Sequence, residues 1–289
     1  MPSPFHQRVL VLLLALVAGL IWSLAAGPLE AVDAAPGISL FSARVGFVGG
    51  VAVLLLAGLP ALGLAWLAGA MTRSLRSAAF VLGTALAFPA GHGGSMDGWF
   101  WRASLPGSYI LLMLEIILLF AGIVVATMLI ARTASGRDRL SAGRAPAGAQ
   151  AAGVAICVVV AALLASVLIQ SREVSQVLVG LGLAFAVGAG VAQSVVPAAR
   201  TLPLLLAPLV LGLVAYIYSL VSFPDHDGLL AAVYTSAIWG PALALPIHYA
   251  SAGLAGCALG LGIARAAQAS AITAGHDAAD APAGQAETR

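Results

Sequence analysis

The chain has 289 residues, 61% of them hydrophobic and only 8% charged, with a mean hydropathy of +1.05. Soluble domains carry roughly 25% charged residues, so this composition cannot cover a water-facing surface and calls for a bilayer as solvent. The net charge of +2 is too small for a nucleic-acid binder, and the use of Arg without any Lys points to a GC-rich bacterial source rather than to a function.

A helix needs about 20 apolar residues to cross the hydrocarbon. Runs of that kind predict an all-α integral membrane protein with eight spans, at residues 9–26, 46–70, 75–91, 108–131, 151–169, 177–196, 204–222 and 242–264. The stretch 229–240 is also apolar but, at about 12 residues, too short to span. It reads as an interfacial helix with Trp239 at headgroup level, broken from the last span by Gly240-Pro241. Residues 1–26 also resemble a cleavable signal, with small residues around Ser23-Leu24-Ala25; a retained first span is the preferred reading. The Arg-, Gly- and Ala-rich stretch 132–150 reads as a linker dividing the chain into halves 1–131 and 151–267. Residues 268–289 are expected to form a disordered tail.

The excess of Arg in cytoplasmic loops sets the orientation. With the N-terminus inside, the cytoplasmic side receives Arg8, Arg73, Arg76, Arg132, Arg137, Arg139, Arg144, Arg200 and Arg265. The outer side receives Arg44, Arg102 and Arg172. Outer loops instead carry Glu30, Asp33, Asp97, Glu173, Asp225 and Asp227. The expectation is a bacterial cytoplasmic-membrane protein with both termini inside.

The halves share a pattern. Span 3 ends Phe88-Pro89, then His92, then Asp97-Gly98; span 7 ends Phe223-Pro224, then His226, then Asp227-Gly228. An aromatic stretch follows each, and Pro106-Gly107 and Gly240-Pro241 precede the fourth span of each half. Eight residues past Gly107 is Glu115, and eight past Gly240 is His248. A duplication would give two parallel four-helix repeats about an axis normal to the membrane. Chance is the competing account, because Pro and Asp-Gly are common wherever a helix meets a loop.

Glu115 and His248 are the ionisable residues set well inside spans. A carboxylate in hydrocarbon is costly, so Glu115 must be protonated, paired or facing water; a structural hydrogen bond to a neighbouring helix is the plainer explanation. His248 titrates near neutrality when solvated and suits a proton path, or else bonds a carbonyl freed by Pro246. His92, Asp97, Asp225, His226 and Asp227 form an outer set. Mixed His and carboxylate ligands suit divalent ions, and Asp225, His226 and Asp227 are the candidate metal ligands, although a solvated Asp-Gly turn explains them as simply. Gln193, Tyr216 and Tyr218 read as interhelical hydrogen-bonding residues. Cys157 and Cys257 read as small packing residues. Gly46-x-x-x-Gly50 and Gly256-x-x-x-Gly260 are close-packing motifs, for this chain's own helices or for a homo- or hetero-oligomer. Hydrolase, zincin, P-loop and dithiol motifs do not occur, so an enzyme is the lesser expectation. No cofactor is indicated, and a haem between His92 and His248 is a remote option.

The functional expectation is a small transporter or proton- or ion-translocating protein. Glu115 and His248 would form the protonatable pair, with His92, Asp97 and Asp225–Asp227 at the entrance. The alternative is a non-catalytic subunit of a larger membrane complex.

Overall fold

The computed structural model describes residues 4–24, 40, 45–92, 94, 96, 99–100, 108–133 and 146–279. Every regular element among them is helical. In chain order these are α1 (Pro4–Ser23), α2 (Gly46–Thr72), α3 (Leu75–His92), α4 (Ser108–Thr133), α5 (Ala147–Leu168), α6 (Val174–Val195), the short α7 (Thr201–Leu205), α8 (Ala207–Ser222) and α9 (His226–Tyr234). A 3-10 turn (Gly240–Leu243), one α-turn (Pro246–His248) and a π-helical segment (Tyr249–Gly253) then lead into α10 (Leu254–Ala279).

Among the described residues, seven segments are long and apolar enough to cross a bilayer: Phe5–Ser23, Gly46–Thr72, Tyr109–Arg132, Ala147–Leu168, Val174–Val195, Thr201–Ser222 and Pro246–Ala271. The helix α3 falls outside this set because Arg76, Thr84 and His92 dilute its apolar residues, yet it lies deep in the bundle, with Ala78, Val81, Gly83, Ala85 and Ala90 among its buried positions. Its 18 residues correspond to a length of about 27 Å. The outer surfaces of the helices are oily. Leu55, Leu59, Leu163, Val167, Val179 and Ile263 are all more than 60% exposed, whereas Glu115, Gln193, Ser219, His248 and Ser251 are at most 1% exposed. Polar side chains inside and aliphatic ones outside is the reverse of a soluble protein and the architecture of a polytopic α-helical membrane protein, in which helices satisfy their own backbone groups.

The last span is the centre of the bundle. Within its most apolar window 78% of residues are buried, against 17% for α2 and 50% for the α7–α8 span. It also has the lowest mean hydropathy of the seven, 1.4, because a helix surrounded by protein need not match lipid. Small residues let it nest. A Cβ at Gly256 would lie 2.3 Å from the Gly182 carbonyl oxygen, and one at Gly260 2.0 Å from that of Ala186, so α10 and α6 meet backbone to backbone. On its other side, a Cβ on Gly83 of α3 would meet the Ala255 nitrogen at 2.6 Å. The second glycine motif therefore packs against a helix of the same chain. Gly46, at φ +72, has open space where its Cβ would be.

Four sequence expectations change. The last span is not one helix over 242–264. Pro241 and Pro246 each lack an N–H and bias the preceding residue away from helical angles, so Ala244 and Leu245 are extended and the α-helix proper starts only after the π-segment. The interfacial helix stops at Tyr234, with Ser236 left-handed at φ 54. The tail expected to be disordered from 268 is instead helical as far as Ala279, in keeping with the strong helix propensity of its alanines. The two halves also pack differently: α3 nests against both α1 and α2, whereas its counterpart α8 touches α5 lightly and leans on α4 of the other half.

Candidate functional site

Four buried polar side chains, Glu115, Ser219, His248 and Ser251, lie where the irregular start of the last span meets α3, α4 and α8. Glu115 lies seven residues into α4, about 10 Å from its start at 1.5 Å per residue, and is 1% exposed. The segment Pro246–His248 packs on this same helix. A Cβ at Gly212 of α8 would collide with Ile116, next to Glu115, and with the Tyr249 ring, which shows how tightly α4, α8 and the π-segment meet.

His248 is fully buried, and its Nδ1 accepts the backbone N–H of Leu245 at 3.1 Å. An imidazole nitrogen that accepts carries no proton, so the neutral ring holds its hydrogen on Nε2. That Nε2 is buried with no hydrogen-bond partner, and the ring lies close to the Ala90 backbone on α3. Pro246 explains the arrangement. It opens the turn, Leu245 stays extended, and the histidine ring folds back to cap the Leu245 N–H. Ser251 donates to the His248 carbonyl at 3.2 Å.

Three phenols lie in the same region. Tyr216 donates to the Ala244 carbonyl at 2.7 Å and Tyr249 to the Pro241 carbonyl at 2.7 Å. The Tyr216 ring stands 6.0 Å from that of Tyr109 and 6.2 Å, edge-on, from that of Tyr249. Glu115 lies within electrostatic reach of Tyr216, and Tyr109 lies beside Ser219, one turn along α8 from Tyr216. The structure thus buries Glu115 on α4 and His248 on the turn that packs against α4, with Tyr109, Tyr216, Ser219, Tyr249 and Ser251 on the elements that meet there. A π-segment accompanies the cluster, as such segments often do at functional sites. A neutral imidazole, a carboxyl and phenols so arranged can hand on a proton or coordinate a small polar species.

The other sequence candidates lie elsewhere. His92 is exposed at the end of α3, its Nδ1 2.8 Å from the Phe88 carbonyl one turn back. Asp97 lies outside the described residues. Asp225 caps α9, its carboxylate accepting the Gly228 N–H at 2.6 Å, with His226 and Asp227 in the first turn that follows. Among the described residues no three His, Cys, Asp or Glu side chains group as metal ligands, and the Asp225–Asp227 triplet is a helix start whose lead carboxylate is already engaged. Gln193 donates to the Pro197 carbonyl at 3.0 Å, Tyr218 stacks edge-on against Trp239 at 5.5 Å, and the thiols of Cys157 and Cys257 adjoin in the core.

The two ends of the bundle differ. At the end carrying Asp225, a cavity of about 790 Å³ opens between the α5–α6 turn and the 232–243 stretch, lined by polar groups including Ser166, Gln170, Arg172, Glu173, Ser175 and Ser236. At the opposite end, side chains tie the last helix to its neighbours. Arg265 donates to Thr201 Oγ1 at 3.0 Å, Arg76 to the Leu261 carbonyl at 3.2 Å and Gln268 to the Gln193 carbonyl at 3.2 Å.

Sequence reasoning missed Tyr109, Ser219, Tyr249 and Ser251. The i, i+3 spacing of Tyr216 and Ser219 on one helical face was a readable signal; Tyr109 and Tyr249 become polar neighbours only through the fold. No protein-family model, curated protein or solved structure matches the chain.

Proposed function

We propose that this chain is a small transporter or proton- or ion-translocating protein of the bacterial cytoplasmic membrane. In this reading it crosses the bilayer eight times, with α3 as the eighth span, and both termini are cytoplasmic. The Asp225 end then faces outward, and the polar cluster lies in the outer half of the bilayer.

The observation that carries the reading is the joint burial of Glu115, His248 and three tyrosines around a non-α stretch of the most buried span. Ionisable groups within a membrane are expensive, and irregular backbone at that depth is tolerated where it is enclosed by protein or lines a cavity. A purely structural subunit gains nothing from either feature, and the glycine face that would most readily have received a partner is filled by α6. A cavity at one end that stops at the buried stretch 240–245, and a side-chain closure at the other, suit alternating access in an occluded state.

Glu115 is the proton or ion group and His248 its neighbour on the pathway. Glu115→Gln keeps the shape and removes the charge. In proteoliposomes the variant is expected to insert normally and to lose ion- or proton-coupled flux by at least tenfold. Full flux in Glu115→Gln would remove coupling through this residue.

A further inference from the structure

The stretch 240–245 stands between the outer cavity and the buried cluster. It lines the cavity with Gly240 and Leu243. It meets the cluster through the Pro241 carbonyl, bonded by Tyr249, the Ala244 carbonyl, bonded by Tyr216, and the Leu245 N–H, bonded by His248. All six of its residues are buried, and no continuous α-helix holds it, because Pro241 and Pro246 interrupt the backbone ladder at both ends. One 3-10 bond lies within it, from the Ala244 N–H to the Pro241 carbonyl at 3.3 Å, and phenols and an imidazole secure it from the side.

We propose that the outer cavity is the entrance to the buried cluster for water and small polar solutes, and that residues 240–245 are its gate, latched by the Tyr216 and Tyr249 hydroxyls. The cavity's 790 Å³ holds roughly 25 water molecules at about 30 Å³ each. Hydroxyls, an amide and one side chain of each charge sign line it, so it admits polar species without selecting a net charge. Opening exchanges two buried phenol–carbonyl bonds for bonds to water in the cavity. Closing restores them and dries the site. This deepens the transport reading and rests on it for what passes the gate; the gate itself is testable without any flux measurement.

The test is thiol accessibility in intact cells, using the full chain with Cys157→Ala and Cys257→Ala. One reporter is Ser219→Cys in the cluster; the other is Ser175→Cys on the cavity wall, exposed in this structure. The probe is a charged, membrane-impermeant methanethiosulfonate added outside. Ser175→Cys should react rapidly in every background, which also reports insertion. Ser219→Cys should react slowly in the parent and about fivefold faster after Tyr216→Phe or Tyr249→Phe, the factor expected from one net hydrogen bond. With both Phe substitutions the factors should multiply to about 25-fold. Phenylalanine keeps both rings and their packing, so a folding defect would appear as loss of Ser175→Cys labelling. The gate is overturned if Ser219→Cys labels at the same rate with and without the phenols, or as fast as Ser175→Cys in the parent. Labelling that follows the phenols while Glu115→Gln leaves flux intact would retain the gate and remove the coupling. Loss of flux with phenol-independent labelling would do the reverse.

Discussion

Replacing Gly260 by Ala tests whether α6 and α10 are pressed together as closely as their glycines imply. The new Cβ would sit 2.0 Å from the Ala186 carbonyl oxygen and 3.0 Å from the Ala186 Cα. A comfortable C···O contact is about 3.3 Å, so the helices must part by roughly 1.3 Å. The obstacle is backbone, so no rotamer change relieves it. Overpacking of this kind costs about 1–3 kcal/mol. A gap near 1 Å forfeits up to about half of the dispersion well for the atoms that line it, which places Gly260→Ala toward the upper part of that range. Alanine returns about 1 kcal/mol through helix propensity, leaving a net loss of about 1–2 kcal/mol. Gly262, two residues along the same helix, has nothing within 4 Å of its would-be Cβ. Gly262→Ala keeps the propensity gain without the clash and should be neutral or stabilising by up to about 1 kcal/mol. The two single-methyl variants should differ by about 2 kcal/mol, roughly a 30-fold difference in unfolding equilibrium. Reversible denaturant unfolding in bicelles, followed by tryptophan fluorescence, measures it. Equal stability of the two variants would falsify backbone-to-backbone packing at this contact.

Two further substitutions probe the ends of the bundle. Asp225→Ala removes the cap on α9 and should cost about 1 kcal/mol locally, read as faster amide hydrogen exchange at Gly228 and Leu229; Asp225→Asn keeps an acceptor and should exchange at close to the parental rate. Thr201→Val deletes the acceptor of the Arg265 guanidinium and should lower stability by about 1 kcal/mol, at the low end for a bond to a charged group because the site is only part-buried. The same variant should speed labelling of a Gln193→Cys reporter by a thiol reagent supplied from the cytoplasmic side, and an unchanged rate would show that the Arg265–Thr201 contact does not close that end.

Much of the architecture was legible because the length of an apolar run reports bilayer thickness directly, whatever packs on it. The helix over 75–91 was legible as an apolar run, although it is less hydropathic than the seven spanning segments and lies inward in the bundle. The breaks in the last span were only half legible. Pro241 and Pro246 announce an interruption, but a π-segment at Tyr249–Gly253 depends on how small residues settle against α3 and α6, which no periodicity records. Glu115 and His248 stood out because charge is rare in such helices. Tyr109 and Tyr249 did not, since an isolated tyrosine in an apolar run resembles packing until its hydroxyl is seen to face another chain segment. The Asp225–Asp227 triplet reads two ways because a capping carboxylate and a metal-ligating one are the same residue type, and the cap on the Gly228 N–H appears only in the fold.

The final span has two mechanical regimes. Its lower shank, from Leu254 onward, is a regular α-helix whose Gly256 and Gly260 meet α6 with no room for a methyl group. Its upper tip, 240–253, passes through 3-10, extended, α and π geometry within fourteen residues and so has many small torsional adjustments available. Displacement of this element is consequently taken up at the tip, next to Glu115 and His248, while the shank works as a fixed post. Substitutions that stiffen the post should raise thermal resistance and leave thiol accessibility at the tip untouched.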